Sequence, residues 1–532
     1  MSIISSLIDK SAMLWGNIKS LAHNTLTKVF SYSVNRKVIE DLHEDPKLKE
    51  KCGVLAYFNK DSNTSFEHIL ASLGRLQHRG QHAAGFMAAN EQGDIINHAK
   101  KGLISEVFQD SETKQKFEKQ KIYLGHTLYT TSRTEGCSLH AQPILAGEPS
   151  KIALVHNGNL PDCSSLKNLL KTKYNLSDEA LSEMNDSTLM ATLISKIYNS
   201  NANKDLIFAV DQARKNFTGA YSIIVSDGKS IVSTRDNNGL RPLLVGFDQN
   251  RNPIAFASES AALKTLGINE YRDLQPGELF VIKNDGSFYS YAQTQEKTQN
   301  NIDAFEYIYF SRPDSKIEGK YVNKTRRNAG KLIGQRLKKE LGNIDFVIPV
   351  PESGNAAASG LAEAIQKPIN FGLIKNRHLR TFIENGKGLD EKFSICEDAI
   401  FGKKIVLVDD SIVRGNTTKK LIEKIREYKP AEIHLVIASP PVLYPDFYGI
   451  DTPMQDELIA AKKLKENPNL QAAVEAIKTE LGIDSLNYLK IDELCKAIER
   501  DKDQLNLAAF NGDYPVNIGE NSQGMHDFIL KC

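Results

Sequence analysis

Lys404-Ile-Val-Leu-Val-Asp-Asp-Ser-Ile-Val-Arg-Gly-Asn-Thr-Thr418 is the run on which the fold of the C-terminal half turns. Its apolar start has the composition of a buried parallel strand. The strand ends abruptly at Asp409 and Asp410, a loop follows, and helical periodicity begins near Thr417. In open α/β sheets ligands sit beyond the carboxyl ends of strands, so the loop lies where a site belongs. Gly415 lets the backbone approach an anion, and the helix N-terminus behind it favours a phosphate. Ser411, Arg414, Asn416, Thr417 and Thr418 supply further donors around it. Two adjacent carboxylates repel phosphate oxygens, so Asp409 and Asp410 suit ribose hydroxyls or a magnesium ion instead. Read without its neighbours, the Asp-Asp-Ser would be an ordinary helix-capping turn.

Working outward, Phe346–Pro349 and Ile433–Ala438 are apolar runs of the same kind, and Asn328–Leu341, Ala356–Gln366 and Thr417–Tyr428 have helical periodicity. This alternation predicts an α/β domain with a mostly parallel sheet from about residue 304 to 532, ending in a helical extension. The turn after the first of these strands, Glu352-Ser-Gly-Asn355, places Ser353 near a metal or pyrophosphate, and Lys375 and Arg377 add positive charge. Upstream, residues 52–292 read differently, as short strands such as Val54–Phe58, Ile122–His126, Ile152–His156, Tyr221–Val225 and Leu279–Ile282. Helical patterns over Ser65–Leu76 and Leu181–Tyr198 interrupt them, which predicts a layered α+β domain. Gln293–Asn301 reads as a connector.

The chain has 532 residues, too many for one core. Its formal charge of +1 gives no global field to attract nucleic acid. No apolar run reaches the roughly 18 residues of a membrane helix. Six scattered cysteines exclude a disulfide framework and indicate a reducing, cytoplasmic setting. Residues 1–51 form a leader with amphipathic periodicity and one acid, Asp9, among its first 30 residues. Surface helix, propeptide and targeting segment all stay open for it.

Four segments in the N-terminal half carry a resemblance: Cys52-Gly53, Arg75-Leu-Gln-His-Arg-Gly-Gln-His-Ala-Ala-Gly85, Leu124-Gly-His-Thr-Leu-Tyr129 and Val155-His-Asn-Gly-Asn-Leu160. Together they resemble the class II glutamine amidotransferase domain of the N-terminal nucleophile superfamily, an αββα fold. The run Val406–Thr418 resembles the ribose-phosphate loop of type I phosphoribosyltransferases. Further blocks, including Asn238–Pro242, Ala257–Ser260, Tyr307–Ser315 and Phe447–Asp451, are similar to one family in that family's order: the amidophosphoribosyltransferases.

The resemblance implies glutamine and 5-phosphoribosyl 1-diphosphate as substrates, 5-phosphoribosylamine as product, and a place at the first committed step of purine synthesis. It implies Cys52 as nucleophile, freed by cleavage of the Lys51–Cys52 bond, with its own α-amino group as base. Asn157 and the Gly158 N–H would form the oxyanion hole, and Arg79 and Asp186 would hold glutamine. Lys375, Arg377, Asp409, Asp410, Ser411 and Arg414–Thr418 would bind the phosphoribosyl substrate, with magnesium on Ser353, Asp409 and Asp410. It also implies a homo-oligomer, dimer or tetramer, and inhibition by purine nucleotides. Some relatives carry an iron–sulfur cluster on cysteines. Here Asp446 and Ala508-Ala509 stand at those places, so no cluster is expected.

The sequence departs from the family at Leu128, where relatives carry an arginine that pairs with the glutamine carboxylate. Such a contact is worth about 1.5–3 kcal/mol. The stretch after Arg377, a mobile lid in relatives, is shorter here, and the leader is longer. These departures leave two alternatives open: a relative that transfers free ammonia, and a non-catalytic sensor of nucleotides or of the phosphoribosyl substrate.

Overall fold

The computed structural model describes residues 49–50, 52–129, 141–292, 300–376, 393–451, 455–516 and 518. The expectations for the leader's residues 1–48, the cleavage-site residue Lys51 and Arg377 lie outside them. The described residues divide into two compact units, a small one holding residues 374–376 and 393–395 and a large one holding the rest. In the smaller unit the strand ending at Lys375 pairs with Phe393–Ile395, and the Asn376 and Ser394 side chains are hydrogen-bonded at 3.0 Å.

The larger unit holds both sheet systems. Strands β1 (Cys52–Phe58), β2 (Ala83–Ala89) and β3 (Ile122–Leu128) lie in a seven-stranded sheet, in the spatial order β1-β3-β2. Strands β4 (Ile152–Asn159) and β5 (Ala220–Ser226) are neighbours in a six-stranded sheet. The strand pairs within both sheets are antiparallel. Alternate residues of β1 serve different cores because successive side chains point to opposite faces. Val54, Ala56 and Phe58 pack with Val155 and Ile224 between the sheets. Leu55 and Tyr57 pack outward against Phe66, Ile69 and Leu73 of the helix Phe66–Gly74. The outer face of the second sheet is covered by helices, among them α1 (Asp186–Ser200). The result is the expected αββα layering. The helix expected over Leu181–Tyr198 is instead two, Asp178–Ser182 and α1, because the Asn185 side chain accepts the Thr188 N–H at 2.8 Å and starts a new helix.

Helix α2 (Val322–Leu337) opens the second system and begins six residues before its expected start. The run Asn323-Lys-Thr-Arg-Arg-Asn328 hid it, since Thr325 and Arg326 are polar yet buried. Strand β6 (Phe346–Pro349) leads to α3 (Asn355–Ile365), and β7 (Lys404–Asp409) to α4 (Asn416–Glu427). With β8 (Glu432–Ile437) and β9 (Ser485–Tyr488) the strands form a parallel sheet in the order β6-β7-β8-β9. Its core joins Val406, Val408 and Val436 to Ile333, Leu361 and Phe305.

Candidate active sites

Cys52 opens β1 as a buried thiol, directly opposite Leu128 across the β1–β3 pair, with Ala83 on the far side of Leu128. Glycines allow the surrounding turn to press against these strands. A Cβ on Gly53 would lie 2.8 Å from the Leu76 Cβ, and one on Gly80 would lie 2.4 Å from the Thr127 carbonyl carbon. Leu128 thus gives the Cys52 thiol an apolar neighbour.

β1 and β4 contact each other across the sandwich. The Asn157 side chain on β4 is fully buried, and neither its oxygen nor its nitrogen has a hydrogen-bond partner among the described residues. An orphaned buried amide costs about 1–3 kcal/mol, so a ligand atom is its natural complement. Gly158 has φ +144°, and a Cβ there would sit 2.1 Å from the Ala220 carbonyl oxygen, so only glycine fits. Asp186 comes to the same place from the first turn of α1. Its Oδ2 accepts the Leu160 N–H at 3.2 Å, and its Oδ1 accepts the Ser187 N–H at 2.7 Å. His156 joins them: its Nδ1 lies 2.8 Å from the Ser187 Oγ and 3.8 Å from the Asp186 Oδ2. Burial pushes His126 down to about 3, so its ring is neutral, and Nε2–H donates to the His156 carbonyl at 3.0 Å across the two sheets. Both histidines lie within the segments that carry the resemblance, and no role follows for them from sequence alone. Their place inside strand-like apolar runs was the available signal.

The resemblance places Arg79 among the glutamine-binding residues, and the structure commits its guanidinium elsewhere. It is fully buried, with Nε 2.5 Å from the Glu259 Oε1, and Nη2 donates to the Glu306 Oε2 at 2.7 Å and to the Ser311 Oγ at 3.0 Å. Arg241 also reaches Glu306, at 3.2 Å. The Glu259 Oε2 accepts the Ser315 hydroxyl at 2.6 Å and the Arg312 N–H at 2.9 Å. Burial opposes charge on both partners, yet Arg79 and His78 hold the Glu259 carboxyl well below the usual carboxylate range. A guanidinium that already faces two carboxylates is poorly placed to clamp a third. Arg79 instead ties the turn beside Cys52 to the segment that opens the phosphoribosyl half. The sequence reading missed Arg241, Glu259 and Glu306 as a network, although each is a charge set inside an apolar block.

In the second half, Pro349 and Val408 pair at the ends of β6 and β7, so the two following loops are neighbours. They touch, since a Cβ on Gly354 would lie 2.2 Å from the Val408 carbonyl oxygen. Asp409 and Asp410 are both buried. The Asp409 Oδ1 accepts the Asp410 N–H at 2.9 Å, and the Asp410 Oδ1 accepts the Ser411 hydroxyl at 2.8 Å. Gly415 takes φ +80° as the cap before α4. The Thr417 Oγ1 in the first turn is buried with no partner among the described residues. Arg414, expected at the phosphate, forks onto Glu457 with contacts of 2.9 and 2.8 Å. Asn416 and Thr418 stand with Thr417 in the first turn of α4. A small pocket lined by Tyr307, Arg326, Ser353 and Asp410 brings the two loops together with α2. Burial pushes Arg326 down to about 10, with Asp410 opposing, and its guanidinium donates to the Tyr307 and Ser311 carbonyls at 2.8 and 2.7 Å. Ser311 is therefore held from one side by Arg79 and from the other by Arg326. Lys375 belongs to the smaller unit.

Residues 132–265 match the glutamine amidotransferase domain family and residues 321–439 the phosphoribosyl transferase domain family. The amidophosphoribosyltransferase of Bacillus subtilis (strain 168) is 35% identical over 88% of this chain and 95% of its own length. That of Synechococcus elongatus is 36% identical over 90% of this chain and 94% of its own. The chain belongs to the amidophosphoribosyltransferase family. Its structure superposes on the B. subtilis glutamine phosphoribosylpyrophosphate amidotransferase solved with ADP and GMP with a TM-score of 0.77. The two chains are 34% identical, and the match covers 88% of this one and 98% of that one. A structure described as the allosteric regulatory enzyme of purine biosynthesis has the same TM-score at 33% identity, covering 88% and 97%. The αββα half is thus the glutamine amidotransferase of such an enzyme, and the parallel sheet its phosphoribosyltransferase. Among the described residues no helix is long and apolar enough to cross a membrane.

Proposed function

We propose that this chain moves the amide nitrogen of glutamine to C1 of 5-phosphoribosyl 1-diphosphate, expelling pyrophosphate and forming 5-phosphoribosylamine, the first committed intermediate of purine synthesis. The observation that carries the residue roles is the buried Asn157 amide, without a hydrogen-bond partner among the described residues, in the strand that faces the strand of Cys52. A sensor of nucleotides has no use for it.

In this reading residues 1–51 are removed and Cys52 becomes the first residue. Its α-amino group takes the thiol proton, and the thiolate attacks the side-chain carbon of glutamine. The Asn157 Nδ2 and the Gly158 N–H hold the oxyanion, and Asp186 holds the substrate ammonium. The amide nitrogen leaves as ammonia, and water hydrolyses the thioester. Leu128 offers no charge to the glutamine α-carboxylate, so a high KM for glutamine is expected.

At the second site ammonia displaces pyrophosphate from C1. The N-terminus of α4, with Gly415, Asn416, Thr417 and Thr418, binds the 5′-phosphate. Asp409, Asp410 and Ser411 orient the ribose; pyrophosphate contacts from Lys375 and Arg377 are what the family resemblance implies. Ser353, Asp409 and Asp410 also offer the oxygen donors that magnesium takes, two carboxylates with the rest left to substrate and water. Magnesium, when bound there, neutralises the charge of the departing pyrophosphate. Arg414 must leave Glu457 to reach a phosphate. The B. subtilis relative was solved in complex with ADP and GMP, which supports inhibition of this chain by purine nucleotides. The reading also makes it a cytoplasmic homo-oligomer.

The test is intact mass and N-terminal sequencing of the purified protein, followed by assay. A chain that starts at Cys52 and forms phosphoribosylamine from glutamine is the expected result. A chain that keeps residues 1–51, or that starts at Cys52 and leaves glutamine untouched, would contradict it.

A further inference from the structure

We infer that the segment Asp446–Ile450 of the phosphoribosyl half is a positioning element for the oxyanion hole, and so sets the rate of glutamine cleavage. The inference rests on the functional reading above, and it assigns a role to residues that reading leaves unused.

Three contacts carry it. Gly449, at φ +111°, lies against Gly158: a Cβ on Gly449 would meet the Gly158 Cα and carbonyl carbon at 3.1 Å. The Asn159 Nδ2, one residue on, donates to the Phe447 carbonyl at 2.9 Å. The Tyr448 ring packs with Ala220 and Leu240, and Ala220 is the register partner of Asn159 on β5. The short run Asn157–Asn159 is therefore held by β5 on one side and by the phosphoribosyl half on the other.

The segment that presses on it is itself fixed. Buried Asp446 accepts the Tyr448 N–H at 2.7 Å and the Ile450 N–H at 3.1 Å through one oxygen. The Tyr448 hydroxyl donates to the Val516 carbonyl and accepts the Val516 N–H at 3.1 Å. The next residues, Ile450–Asp451, pair antiparallel with Lys49–Glu50, which lie just before the nucleophile. That pairing exists only in the uncleaved chain; once residues 1–51 are gone, the contacts of this loop with Gly158 and Asn159 remain.

Geometry makes this matter. An oxyanion donor works only when it lies about 2.7–3.1 Å from where the charge develops. The bond that forms is thiolate sulfur to amide carbon, and the bond that breaks releases ammonia. The Gly158 N–H is aimed by backbone alone, so whatever fixes that backbone fixes the donor. A displacement near 1 Å costs up to about 100-fold in rate.

The experiment uses Gly449→Ala and Asn159→Ala in the full chain, with rates normalised to the fraction of molecules that intact mass shows to begin at Cys52. Glutamine-dependent and ammonia-dependent synthesis are measured side by side. The expected result is a fall in kcat with glutamine, about 10- to 100-fold for Gly449→Ala and about 5- to 10-fold for Asn159→Ala. KM for glutamine and the ammonia-dependent rate stay at wild-type values. Asn159→Ala introduces no backbone strain and carries the test alone if Gly449→Ala does not fold. Equal loss of both routes, a rise in KM alone, or an unchanged kcat in Asn159→Ala overturns the inference. A wild-type protein inactive with glutamine would instead defeat the functional reading, so the two failures are distinguishable.

Discussion

The two halves of this enzyme build their sites in opposite ways. In the proposed reading the phosphoribosyl site draws eight residues from one loop at the end of one parallel strand, Asp409 to Thr418, where strand, turn and helix N-terminus do most of the work. The proposed glutamine site is assembled from Cys52, Asn157, Gly158 and Asp186, on two strands of different sheets and a helix, and no two of these segments are neighbours in sequence. A local loop needs little beyond its own strand and helix. A dispersed site depends on whatever holds its parts in register, here including the buried Arg79, Glu259 and Glu306, and the Asp446–Ile450 segment of the other half.

The largest way to separate the halves is Cys52→Ala. Glutamine-dependent synthesis should fall by about 1,000-fold or more while ammonia-dependent synthesis is kept. Loss of both in steady-state assays would mean that the halves are not separable by chemistry. Glu306→Gln tests the opposite, what they share. It leaves two buried guanidiniums with too little negative charge, and unfolding in urea should show a loss of about 3–5 kcal/mol, with both activities lowered. A loss below about 1 kcal/mol, the value of a surface pair, would show that the network is not a joint support.

Two milder substitutions sharpen the contrast from each side. Asp186→Asn should raise KM for glutamine roughly 10- to 100-fold, the value of one charge-assisted hydrogen bond, and leave KM for the phosphoribosyl substrate alone. Thr417→Val should raise the latter about 5- to 10-fold and leave glutamine hydrolysis alone. Steady-state kinetics in both substrates reads each one, and a crossed effect would break the division. The smallest effect lies in pH. Burial, then the nearby Asp446, pushes the Asp303 carboxyl up to about 8. The folded form keeps a proton that the unfolded form loses above 3.8, so this group's contribution to stability falls as pH rises from 3.8 to about 8 and is level beyond. Asp303→Asn should flatten that decline in unfolding experiments between pH 5 and pH 8, and an unchanged slope would show that Asp303 is not its source.

The same contrast explains what the sequence could tell. Val406–Thr418 is legible because its periodicity, its two acids and its glycine all concern neighbouring residues, and the structure has strand, loop and helix there. The order of strands in the glutamine half was not legible, because the pairing of Cys52 with Leu128 and the facing of β1 and β4 are long-range events. Arg79 shows the limit: its motif was visible, but the partners that occupy it, Glu259 and Glu306, lie 180 and 227 residues away. Arg414 shows it too, since nothing near it in sequence announces Glu457.

The most direct test of the central claim, that both sites act in series on one nitrogen, is to supply glutamine labelled with nitrogen-15 in its amide, with no added ammonia, and to follow label into phosphoribosylamine. We predict one labelled product for each glutamine consumed. Glutamine hydrolysed without labelled product, or not consumed at all by a chain that begins at Cys52, would contradict it.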